Sequence, residues 1–236
     1  YTAYNHPDAG YVFSDFHHYQ DGCNAVDNNF NWDDKNTIGS RGCRLNGLSD
    51  LKTETPKVQA ILANYLKDLM LLGVDGFRLD SAKHINDRDL KSIMTQAGGA
   101  PKFVYSEVLS YIDQPIHGGQ YLDIGDVTVA GIGDHVSSKF SNNQAWKLRE
   151  WENSPIGEAW QFEPSNKSVV YIDTHDSQRD NATILSYKQP ELYKLANVFL
   201  MAYPYGKPLM MSSFYFENRN WGAPYNADGS IKSVFA

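Results

Sequence analysis

The sequence contains no apolar run long enough to span a bilayer, no cluster of basic residues and no heptad repeat. A helical membrane anchor and a coiled coil are thereby excluded, and a formal net charge of −7 leaves nothing that suggests nucleic acid. There is no GxSxG nucleophile elbow and no phosphate-binding loop, so an unrelated α/β hydrolase has no support. There is also no initiator Met, and the opening YTAYNHPDAG lacks a signal-peptide pattern, so a processed, truncated or proteolysed product is expected. Cysteine is scarce. Cys23 and Cys43 both fall in the polar first fifth of the chain and read either as one disulfide or as two separate thiols.

What is present suits a soluble globular protein. The 236 residues suffice for one substantial core or two modest domains. Aromatics are plentiful, with 15 Tyr, 11 Phe and 5 Trp, which mildly favours an extracellular binding surface. A neutral polyhydroxylated substrate fits the charge balance. The sequons at Asn166 and Asn181 are compatible with export.

Residues 1–50 are rich in Asp, Asn, Gly and Tyr without sustained periodicity, and DGCNAVDNNFNWDDKNTIGS reads as a long excursion. The pattern changes at Thr55. In TPKVQAILANYLKDLMLLG the residues Val58, Ile61, Leu62, Tyr65, Leu66 and Leu69 recur at helical spacing, with Gly73 at the C-terminal end. VDGFRLD follows as a short strand. The unit recurs as DLKSIMTQAG then PKFVYSE, a helix is expected near 141–151, and SNKSVVYIDTHD reads as a strand before the helix of PELYKLANVFLMAYPYG. Residues 1–50 are thus expected to form a loop-rich excursion, and 51–236 part of an α/β fold.

Three successive strands end in charged residues: Arg78 and Asp80, then Glu107, then Asp173, His175 and Asp176. A single Asp after a strand is usually a helix N-cap. Three strands ending this way favour a shared site, because ligands of parallel α/β folds bind at the carboxyl ends of the strands.

GVDGFRLDSAKH, VYSEV and YIDTHDSQRD resemble three segments of the α-amylase family, in the family's order, and GLSDL (47–51) resembles a fourth. RGCRLNGLSDL and LANVFLMAYPYG are similar to animal-type amylases and their bacterial relatives. The resemblance covers roughly residues 15–215 and implies a (β/α)8 barrel with a calcium-binding excursion. Here the barrel is expected to be partial, lacking its first strands and the C-terminal β-sandwich domain, with another chain as one source of the missing segment.

The resemblance implies that Asp80 is the nucleophile, Glu107 the general acid/base and Asp176 the third carboxylate. Retaining glycosidases need such a pair, one carboxylate to attack the anomeric carbon and one acid to protonate the leaving oxygen. Arg78 shares a strand face with Asp80 and holds it charged. His175, Lys83 and His84 match substrate-binding positions, and Tyr105 is read as barrel packing.

The same resemblance implies a Ca2+ site with the Asp50 side chain and the Arg41 and His84 backbone carbonyls as ligands, the oxygen donors a hard cation takes. It also implies a Cys23–Cys43 disulfide in the excursion. Many relatives bind chloride beside the acid. Here Thr174 and Leu209 stand where an asparagine and a second basic residue are expected, so chloride is not expected, with Lys207 nearby as the reservation. The implied activity is secreted, retaining endo-hydrolysis of α-1,4-glucan. A related transglycosylase, a maltodextrin hydrolase and an inactive glucan-binding fragment are the alternatives.

Overall fold

The computed structural model describes residues 4–18, 21, 41–45, 47–98, 101, 103–110, 114–141 and 143–233. The chain divides into two compact units, Tyr1–Thr128 and Val129–Ala236.

In the first unit, helix α1 (Pro56–Leu71) opens on Pro56, whose fixed φ and missing N–H suit a first helical position. It stops where Gly73 takes a φ of +97°, as the sequence predicts. The expected apolar stripe needs one correction: Tyr65 is 60% exposed, while Val58 and Ala63 are the residues fully buried. Strand β1 (Gly76–Leu79) follows, then helix α2 (Asp87–Ala97). The Asn86 side chain caps α2 by accepting from the Arg88 N–H at 3.0 Å, and Asp87 and Asp89 complement the positive end of the helix. Ile93 and Ala97 of α2 pack with Ala63 of α1 in one cluster, flanked by Leu62, Leu66 and Met70.

Strand β2 (Phe103–Ser106) runs parallel to β1, pairing Gly76 with Phe103 and Leu79 with Ser106. A side chain at Gly76 would meet the Phe103 carbonyl oxygen at 2.5 Å, so this closeness requires glycine. Strand β3 (Asp126–Val129) pairs with β2 in parallel through Tyr105–Asp126 and Ser106–Val127. All four of its residues are buried. DVTV is too short to show a period, which is why it escapes a reading of the sequence.

In the second unit, helix α3 (Gly131–Ser141) and a 3₁₀ stretch (Ala145–Glu152) replace the single helix expected near 141–151. Strand β4 (Ser168–Val170) is wholly buried and runs parallel to β5 (Lys207–Pro208). Between them come the short helix α4 (Ser177–Asp180) and helix α5 (Pro190–Ala202). The core joins Ile132, Val136, Trp151, Val170, Ile172, Ala196 and Leu200. Each unit therefore carries parallel strands joined through helices, an arrangement consistent with a partial (β/α)8-like barrel. No helix among the described residues is long and apolar enough to cross a membrane.

Candidate active site

The parallel register of the first unit brings two predicted residues together. Leu79 pairs with Ser106, so the next residue on each strand, Asp80 and Glu107, leaves the sheet at the same level. One guanidinium joins them: Arg78 Nη1 donates to Asp80 Oδ1, and Nη2 to Glu107 Oε1 at 2.7 Å. Burial opposes the Arg78 charge, but the Glu107 and Asp80 carboxylates outweigh it and hold its pKa above the ordinary arginine value.

The turn after β1 completes the grip on Glu107. Ser81 adopts left-handed backbone (φ 47°), uncommon for a residue with a side chain, and its N–H donates to Glu107 Oε2 at 3.0 Å. Each Glu107 carboxyl oxygen therefore has one donor. The two side chains differ in access, Asp80 being 71% exposed and Glu107 14%. One carboxylate is presented to solvent and the other is sheltered, an asymmetry suited to distinct chemical roles.

Lys83 and His84 occupy a 3₁₀ turn, Ala82–His84. Lys83 is buried, and its ammonium donates to the Leu109 carbonyl at 2.8 Å and to Gln114 Oε1 at 2.6 Å. Burial lowers its pKa. The structure thus commits this side chain to holding the loop after β2. Tyr105 is half-buried on β2, as expected of a packing residue.

In the second unit, His175 and Asp176 follow β4 and are both exposed, with Nε2 to Oδ2 at 3.4 Å. The Thr174 hydroxyl accepts from the N–H groups of Asp176 at 3.3 Å and Ser177 at 3.1 Å, so it caps α4. Leu209 donates its backbone N–H to the Val170 carbonyl at 2.8 Å, and Lys207 Nζ donates to the Asn166 carbonyl at 3.1 Å.

Reading the sequence misses the environment of Asp173. It is buried, its Oδ1 accepts from the Tyr193 hydroxyl at 2.7 Å, and its Oδ2 has no partner among the described residues. Burial pushes its pKa up to about 6, partly offset by the Tyr193 bond, while burial and the same carboxyl raise the Tyr193 pKa. Because the folded pKa lies above the ordinary value, the folded state binds this proton more tightly than the unfolded chain. The stability this group contributes is therefore fully present below about pH 4 and is lost as pH rises through about 6. Asp173→Asn, which mimics the protonated form, should raise the thermal midpoint above pH 6 by the equivalent of on the order of 2 kcal/mol. The gain should vanish near pH 4. A gain independent of pH would show that titration of this carboxyl is not its cause.

The calcium expectation is corrected by the structure. Among the described residues no group of three or more His, Cys, Asp and Glu side chains is placed to hold a metal ion. Asp50 is engaged instead with His17, whose Nδ1 lies 2.7 Å from Asp50 Oδ2 and whose Nε2 lies 3.1 Å from Glu54 Oε1. Burial works against the His17 charge, but Asp50 and Glu54 outweigh it and raise its pKa. The Arg41 guanidinium bonds Tyr121 Oη at 3.0 Å and pairs with Asp87 at 3.0 Å, and His84 closes a tight turn through its N–H to the Ser81 carbonyl. Among the described residues the Asp50 carboxylate is already paired, and no cluster of acidic and imidazole side chains marks a metal site. No disulfide with both ends among the described residues is found either: Cys43 is not a free thiol, and Cys23 lies outside them.

Parallel strands whose carboxyl ends carry an arginine-bridged pair of carboxylates define an α/β protein with charged side chains gathered where such folds bind ligands. Comparisons with known proteins sharpen this. The chain is 35% identical over 238 residues to the α-amylase-related protein of Drosophila orena, covering 96% of this chain and 45% of that protein. It superposes on wild-type α-amylase I of Eisenia fetida with a TM-score of 0.87 and 29% identity, covering 97% of this chain and 50% of that one. A mutant of the same earthworm enzyme in complex with maltohexaose gives a TM-score of 0.87 at 28% identity. No protein-family model matches. The chain belongs to the α-amylase family, and it spans about half the length of the relatives it matches.

Proposed function

We propose that this chain carries the catalytic residues of a secreted, retaining endo-hydrolase of α-1,4-glucan, built on part of a (β/α)8 barrel. The observation that carries the reading is Arg78 bridging Asp80 and Glu107 at the ends of paired parallel strands. An Eisenia fetida amylase of the same fold is known in complex with maltohexaose, which supports an α-glucan as substrate.

In this reading the exposed Asp80 carboxylate attacks the anomeric carbon. The bond to the leaving oxygen breaks as Glu107 transfers its proton there. Water then attacks the same carbon, gives its proton to Glu107 and releases the Asp80 carboxylate, so two inversions yield net retention. Arg78 sets its positive charge against the nucleophile's carboxylate. Asp176 and His175 hold sugar hydroxyls, the roles their sequence segment implies, and His84 contributes on the leaving-group side.

The test is proton NMR of the anomeric signals released from a maltooligosaccharide by the purified chain. The α-anomer should appear first and mutarotate afterwards. Initial release of the β-anomer would overturn retention, and no release of reducing sugar would overturn hydrolysis by this chain.

A further inference from the structure

We propose that Arg179 is a positioning residue, holding the His175–Asp176 loop by clamping helix α4 onto the aromatic segment 213–219. The inference rests on the role given above to Asp176.

Helix α4 has four residues, too few to hold a fixed direction through its own hydrogen bonds. Its first-turn bonds nevertheless end on Asp176, whose carbonyl accepts from the N–H groups of Arg179 at 2.9 Å and Asp180 at 3.1 Å. Any movement of α4 is thus transmitted to the Asp176 backbone. What holds α4 lies on the far side of it from Asp176 in the chain. The Arg179 guanidinium sits over the Phe216 ring at 4.3 Å and near Phe214 at 5.6 Å, and its Nη1 donates to the Arg219 carbonyl. Arg219 reciprocates by pairing with Asp180 at 2.9 Å. Lys188 also lies over Phe216, at 5.1 Å, while donating to the Gln178 carbonyl at 2.8 Å. Tyr187 packs edge-on against the same ring at 5.3 Å.

Arg179 is the member of this cluster that contacts both aromatic rings and the 213–219 backbone. A lysine there keeps the charge but has neither the planar face for stacking nor the fork to reach the Arg219 carbonyl at the same time. The expected consequence is a loop that still forms but no longer holds Asp176 in one place, and small misplacement of a catalytic group is costly.

The experiment is a double-mutant cycle of Arg179→Lys and Asp176→Asn, read as kcat and KM on maltooligosaccharide, with amide hydrogen exchange on the same proteins. R179K should lower kcat by about 10-fold or more with a smaller change in KM. In the D176N background it should cost less than about twofold further, because the group it positions is already lost. Exchange should quicken at the Arg179, Asp180 and Asn181 amides and stay unchanged in α5. An equal loss of kcat in both backgrounds, or unchanged exchange at those three amides, would overturn the proposal. If D176N leaves hydrolysis intact, the catalytic role of Asp176 fails instead, and the exchange measurement still decides whether Arg179 is the clamp.

Discussion

Glutamine in place of Glu107 is expected to lower kcat on starch by about 10²–10⁴-fold, the range general acid–base catalysis supplies. The substitution preserves the shape of the side chain. Its amide oxygen can still accept from Arg78, which bonds Glu107 Oε1 at 2.7 Å, while the bond that Oε2 accepts from the Ser81 N–H is lost, so the site should stay assembled through the guanidinium. What is lost is the proton. Because the missing step is protonation of the leaving oxygen, the loss should be much smaller for the first step of an aryl maltoside whose leaving group departs unprotonated. Pre-steady-state release of the phenol measures that step alone. Equal losses on starch and on the activated substrate would assign Glu107 a role other than proton donor, and retained activity on starch would remove it from the site.

Arg78→Met should be the second largest effect, a fall in kcat of about 10²-fold. Methionine fills much of the same space without charge, leaving Asp80 and Glu107 facing one another without their shared cation. The two carboxylates then repel without a cation between them, to a degree that the solvent exposure of Asp80 reduces. The penalty falls on the ionised carboxylate, so the acid limb of the activity–pH profile should move to higher pH. Arg78→Lys restores the charge but bridges two carboxylates poorly, and should recover the pH profile better than the rate. A profile unchanged in R78M would show that the guanidinium only packs.

Helices α1, α2 and α5 and strands β1, β2 and β4 were legible because their signals are local. Pro56, the apolar positions of α1 and the left-handed Gly73 mark a helix whose boundaries need no partner. The catalytic candidates were legible for a related reason: Arg78, Asp80 and Glu107 close two successive strands, and strands of a parallel sheet leave it on the same side. What had no local signal went unread. Strand β3 is four residues with both faces buried, and α3 begins on Gly131 and contains Gly133, residues that weaken any helical reading.

The same division separates chemistry from its setting. Residue types and their order were sufficient to place two carboxylates and an arginine at strand ends, with Arg78 and Asp80 on one face because covalent spacing along a strand dictates which side chains share it. Whether a charged residue is available is another matter, because it depends on partners remote in the chain. Asp50 is paired with His17, whose other ring nitrogen meets Glu54, Lys83 is spent on Leu109 and Gln114, and Asp173 is driven toward its protonated form beneath Tyr193. Burial and Coulomb energy are properties of the packed chain, so only the tertiary structure assigns these groups their work.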